Sequence, residues 1–115
     1  MHPYKRSERL GELILAEIAE MLRRDLKDPR IGFVTVMRVE VSDDLRAAKV
    51  FASALGTEHE RSRTLQGLAS AASYMRRRLG QTLRLRYAPE LTFVSDESIG
   101  HGAKIAQLLR QLHAE

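Results

Sequence analysis

Between Arg9 and Leu26 the apolar positions recur at threes and fours. Leu10, Leu13, Ile14, Ile18, Met21 and Leu22 share one broad side of a helical wheel, and Lys5, Arg9, Glu12, Glu20, Arg23 and Lys27 take the other. This predicts an unbroken helix with Ser7 as its N-cap, stopped at Asp28-Pro29 because the residue before a proline is pushed out of the helical region. After Gly32 the period changes to two. Phe33, Thr35, Met37, Val39 and Val41 alternate with Val34, Val36, Arg38 and Glu40 in a strand rich in β-branched residues. Ser42-Asp43-Asp44 has the chemistry of a turn, and a second strand runs from about Ala47 to Leu55, with Ala48, Val50, Ala52 and Ala54 on one face. So short a loop predicts an antiparallel hairpin.

Helical spacing resumes near Glu60, where Leu65, Leu68, Ala72, Met75, Leu79 and Leu83 form one stripe. The small residues Ala69-Ser70-Ala71-Ala72-Ser73 permit close packing or a bend, so one long helix and two shorter ones both fit. Gly80 is a candidate stop, and Leu83-Arg84-Leu85-Arg86-Tyr87 reads as extended. Pro89 marks a boundary before a third strand, Leu91-Thr92-Phe93-Val94. Asp96-Glu97-Ser98 offers a cap for a last amphipathic helix from Ala103 to about Leu112, with Ile105, Leu108, Leu109 and Leu112 inward. Crossover through a helical segment returns the third strand parallel to the second. The expected architecture is a single α+β domain over residues 1–115. It is a three-stranded mixed sheet with helices on one face, the other face being partly solvated.

Charge changes this picture by localising it. The chain carries 19 Lys and Arg against 15 Asp and Glu, yet Arg61 to Pro89 holds seven arginines and no acid. Without that stretch the remainder is slightly acidic. An arginine-only cluster suits phosphate, because the guanidinium fork donates in a plane, and RNA is the polyanion expected. With Leu68, Ala72, Met75 and Leu79 facing the sheet, Arg77 points away from the core beside Tyr74, Ser70 and Ser73, and Arg76 and Arg78 lie on either flank. Tyr74 then either stacks on an unpaired base or covers the arginine stems. Arg84 and Arg86 prolong the patch along one side of the extended segment. Arg6 with Arg9, and Arg23 with Arg24, make a possible second contact strip.

Catalytic chemistry finds no foothold in these residues. Cysteine is absent, which removes disulfides and thiolates and fits a reducing cytoplasm. The four histidines, His2, His59, His101 and His113, are too scattered to pair as metal ligands. Asp43-Asp44, Asp96-Glu97, Asp25 and Asp28 are accounted for by a turn, a cap and a helix end. No phosphate-binding or dinucleotide fingerprint and no GxxG loop is present. No signal-peptide core or membrane-length apolar run occurs. The expectation is a cytoplasmic, monomeric binding module with no catalytic residue, metal, cofactor or small-molecule substrate.

Several stretches, in order, resemble the ribosome-binding factor A family over nearly the whole chain. They are Arg6-Ser7-Glu8-Arg9, Leu26-Lys27-Asp28-Pro29-Arg30-Ile31-Gly32, Val39 through Val50, and Leu79-Gly80 through Phe93. The resemblance implies a type II KH fold in which a helix–kink–helix with an Ala-x-Gly signature replaces the GxxG loop. It also implies binding to the small ribosomal subunit and its precursor 16S-type rRNA during late maturation. Ala71-Ala72-Ser73 falls at the kink triplet, with serine where glycine is usual and without glycine's easy access to positive φ. On this reading Arg76, Arg77, Arg78, Arg84 and Arg86 hold phosphates, with Tyr74 and Ser73 near bases or sugars. The alternative is a protein-interaction adaptor whose basic face meets an acidic protein.

Overall fold

A computed structural model describes residues 5–96, so the expected helix over residues 103–112 and its cap at Glu97-Ser98 lie outside the described residues. Helix α1 spans Arg6–Arg24 and starts from Lys5 rather than Ser7. Ser7 instead extends the inward face by one turn: Ser7, Leu10, Gly11, Ile14, Ile18 and Met21 are its buried residues. The helix ends two residues before Leu26, where the N–H groups of Asp25 and Leu26 both donate to the Met21 carbonyl, at 2.9 and 3.1 Å. Leu13, expected inward, is exposed at the edge of the stripe.

Strands β1 (Val34–Val41) and β2 (Ala47–Ala54) form the expected antiparallel hairpin. Its register shifts between Val36 and Arg38, leaving Met37 unmatched in a bulge. An extra residue reverses the alternation beyond it. Val36, Val39 and Val41 therefore all pack against the core, and Thr35, which straight alternation puts on the same face as Val39 and Val41, is exposed. Phe33 precedes the strand and is 82% exposed. At the turn Ser42 Oγ donates to Asp44 Oδ1 at 2.6 Å, and that oxygen also accepts the Arg46 N–H at 3.1 Å.

Helix α2 runs from Glu58 to Thr82 behind a capping box, in which Thr57 Oγ1 accepts the Glu60 N–H at 3.1 Å and Glu60 Oε1 the Thr57 N–H at 3.2 Å. It passes through Ala71, Ala72 and Ser73 without interruption, so one helix stands where the resemblance implied two. Strand β3 (Glu90–Ser95) returns parallel to β2, giving the order β1-β2-β3. Leu10, Ile14, Ile18 and Met21 of α1 meet Met75 and Leu79 of α2 over Ala48, Val50 and Leu91 in one buried cluster. Both helices thus cover the same sheet face. At Gly11 the contact is backbone to backbone: a Cβ there would come within 2.7 Å of the Val39 carbonyl oxygen.

Candidate nucleic-acid interface

The direction of α2 decides where the arginines go. Leu68, Met75 and Leu79 are fully buried, which turns Arg77 to the opposite side at 100° per residue. Arg76 and Arg78 do fall on opposite flanks, as their partners show. Arg76 Nε donates to the Ala88 carbonyl at 2.9 Å, across the α2–β3 loop, and Arg78 Nη2 lies 3.8 Å from Asp25 Oδ2 at the end of α1. Among the described residues Arg77 has no side-chain hydrogen bond or ion pair. Ser73 is exposed on the same outward side.

Tyr74 departs from the expectation. It is half-buried and packs against the core cluster instead of standing outward among the arginines. It sits one turn before Arg78, on the flank of α2 that also carries the Arg78–Asp25 contact.

The segment 83–87 is not extended. The Leu83 N–H donates to the Leu79 carbonyl and the Leu85 N–H to the Gly80 carbonyl, at 2.9 and 3.0 Å, while Arg84 takes φ 53. This is a Schellman closure with an arginine in the left-handed position that glycine usually fills. Arg84 and Arg86 therefore do not share one side of a strand. Arg84 is exposed, and the Arg86 guanidinium lies over the Tyr87 ring, 5.6 Å from its centroid.

The two ends of α1 differ. Arg6 and Arg9 are exposed and make no side-chain hydrogen bond or ion pair among the described residues. Arg23 Nη2 and Arg24 Nε both bind the Glu20 carboxylate, at 2.8 and 3.1 Å. The Arg23 hydrogen bond holds Glu20 below the usual carboxylate range, so part of the positive charge at this end is already matched. With about 21 Å of helix between the two pairs at 1.5 Å per residue, they form two separate ends and not one strip.

A cleft of about 750 Å³ opens beside the first turns of α1, with Leu10, Asp44, Arg46, Arg76, Arg86 and Tyr87 in its lining. Arg46 and Tyr87 do not stand out in the sequence. Arg46 lies outside the acid-free stretch, and Tyr87 is hidden by the expectation of an extended segment. Tyr87 is 76% exposed, the position first expected for Tyr74. Among the described residues no group of three or more His, Asp or Glu could hold a metal ion, and no helix is long and apolar enough to cross a membrane.

A family profile described as ribosome-binding factor A matches residues 6–109. The chain belongs to the ribosome-binding factor A family. It is 48% identical over 111 residues to the ribosome-binding factor A of Halothermothrix orenii, covering 96% of this chain and 91% of that one. Its fold matches the solution structure of a candidate ribosome binding factor A from Thermotoga maritima with a TM-score of 0.74, at 40% identity, over 85% of this chain and 93% of that one. It also resembles a homology model of the Thermus thermophilus ribosome binding factor A fitted into a cryo-EM map of its complex with the 30S subunit. There the TM-score is 0.59 at 26% identity, over 83% of this chain and 97% of the other. The helices over a mixed sheet are thus the KH-like fold of this family.

Proposed function

We propose that this chain is a non-enzymatic assembly factor that binds the small ribosomal subunit and its precursor 16S-type rRNA during late maturation. It acts as a monomer in the cytoplasm. The observation that carries the reading is the Thermus relative, similar over nearly its whole length, a homology model of which was fitted into a cryo-EM map of its complex with the 30S subunit. The arginine-bearing outer side of α2 supports it. Among the described residues Arg77 projects from the ridge with no hydrogen bond or ion pair, the Arg78 contact with Asp25 is 3.8 Å long, and Arg84 stands exposed beyond the helix end. In this mechanism Arg77, Arg78, Arg84 and Arg86 take phosphates. Arg76 both contributes charge and ties down the loop, and Ser73 lies near sugars. Arg6 and Arg9, and less strongly Arg23 and Arg24, extend the contact. Binding one rRNA conformation better than its competitors shifts the population toward it, and release follows when maturation removes that conformation.

The test is cosedimentation with immature small subunits across a salt titration. Replacing Arg76, Arg77 and Arg78 by Ala is expected to weaken binding and to flatten the log–log salt slope by roughly 0.7–0.9 for each phosphate no longer neutralised. An unchanged slope rejects the assignment of these arginines. Binding that survives nuclease removal of the RNA points instead to a protein partner.

A further inference from the structure

The 750 Å³ cleft is distinct from the outward ridge of α2, and its walls combine unlike chemistries. Arg46, Arg76, Arg86 and Tyr87 all line it, and the Arg86 guanidinium lies over one face of the Tyr87 ring, 5.6 Å from its centroid. Two carboxylates, Asp44 and Glu90, also line it; the Ser42 hydroxyl and the Arg46 N–H hydrogen-bond Asp44 and keep it charged, so three arginines stand against two acids. The volume falls within the roughly 300–1,000 Å³ of sites that take small organic groups.

An exposed tyrosine on a slack loop would mean little. Here the backbone on both sides of Arg86-Tyr87 is fastened. Leu85 packs against the core and its N–H is held by Gly80. On the other side Arg76 binds the Ala88 carbonyl at 2.9 Å, Pro89 is fully buried, and the Glu90 N–H donates to the Arg46 carbonyl at 2.8 Å. The last of these bonds also fixes Arg46 beside the loop. Arg86 and Tyr87 are thus presented outward by a stretch whose neighbours are tied inward, with Tyr87 as a residue three-quarters exposed. Such pre-ordering reduces the entropy lost when a ligand is bound.

We propose that this cleft receives one unstacked nucleotide of single-stranded RNA, its base against the Tyr87 ring and its phosphate at Arg46 and Arg86. The inference rests on the proposed RNA-binding function. An aromatic face accepts any base, and flanking guanidiniums supply the phosphate contacts. Arg76 is a positioning residue here, because its Nε is spent on Ala88.

The experiment measures binding of the full chain to immature small subunits for wild type, Tyr87→Phe, Tyr87→Leu and Tyr87→Ala. Ultraviolet crosslinking of the wild-type complex is read by mass spectrometry. Because Tyr87 is exposed, all variants should fold, which circular dichroism checks. Stacking predicts that Phe binds as wild type does, while Leu and Ala bind about fivefold or more weakly, with an RNA-linked peptide that contains Tyr87. Equal binding by all four proteins, or a Tyr87 crosslink to protein instead of RNA, overturns the inference and leaves subunit binding standing. If wild type itself fails to bind the subunit, the functional reading falls and takes this inference with it.

Discussion

At the scale of single residues, the loop between α1 and β1 shows how a few polar contacts replace regular structure. Asp28 accepts the Arg30 N–H and Nε at Oδ1, at 2.9 and 3.1 Å, and Arg30 Nη2 at Oδ2, at 2.6 Å. The Arg30 side chain above all, with its N–H second, lowers the Asp28 carboxyl from 3.8 to about 2. Thr64 of α2, buried, holds the same loop: its Oγ1 accepts the Gly32 N–H at 3.3 Å and lies 3.0 Å from the Glu60 carbonyl. A carboxyl whose pKa is depressed on folding stabilises the fold in its charged form. That contribution is complete above the unfolded value near 4 and is lost as pH falls through about 2. Asp28→Asn should therefore lower the thermal midpoint at pH 6, and the gap to wild type should close between pH 4 and pH 2. A gap that stays constant down to pH 2 would mean that the pair contributes nothing through its charge.

Elements were legible where one rule governed them and obscure where two competed. The hairpin, the parallel return of β3 and the apolar stripe of α2 follow from period and turn chemistry alone, and the structure has them. The bulge at Met37 carries no marker residue, so an alternation counted straight through it puts Thr35 on the wrong face. The closure after α2 reads as extended because Arg84 occupies a left-handed position without the glycine that normally announces one. Ser73 bears on the same helix. In an exposed, continuous helix, glycine is about 1 kcal/mol less favourable than alanine, with serine between them. Ser73→Ala should stabilise the chain and Ser73→Gly destabilise it, each by about 0.5 kcal/mol in urea unfolding. A chain that gains stability from glycine at position 73 would instead have a backbone there that favours leaving the helix.

For the whole molecule, the division between core and basic surface was half visible in advance. Net charge located the basic stretch and the wheel placed Arg76, Arg77 and Arg78 correctly. Which tyrosine stands outward depended on how α1 and the loops close around α2, and no local pattern encodes that. Tyr74 was taken up against the core cluster, and Tyr87 was left exposed by the chain reversal. The same closure makes Leu79 central. It is fully buried in the cluster that joins α1, α2, β2 and β3, and its carbonyl receives the N–H of Leu83 at the helix end. Leu79→Ala removes side-chain packing in that cluster and leaves a cavity, a change that costs about 2–5 kcal/mol. That is a large share of the roughly 5–15 kcal/mol stabilising a domain of this kind. The expected outcome is a strongly lowered unfolding midpoint, and at temperatures where the variant remains folded its subunit binding should approach that of wild type. The arginine triple variant should show the reverse, weakened binding with a nearly unchanged midpoint. If Leu79→Ala abolished binding while still fully folded, the core and the basic surface would be coupled through α2, and the arginines could not be treated as a patch that the fold merely presents.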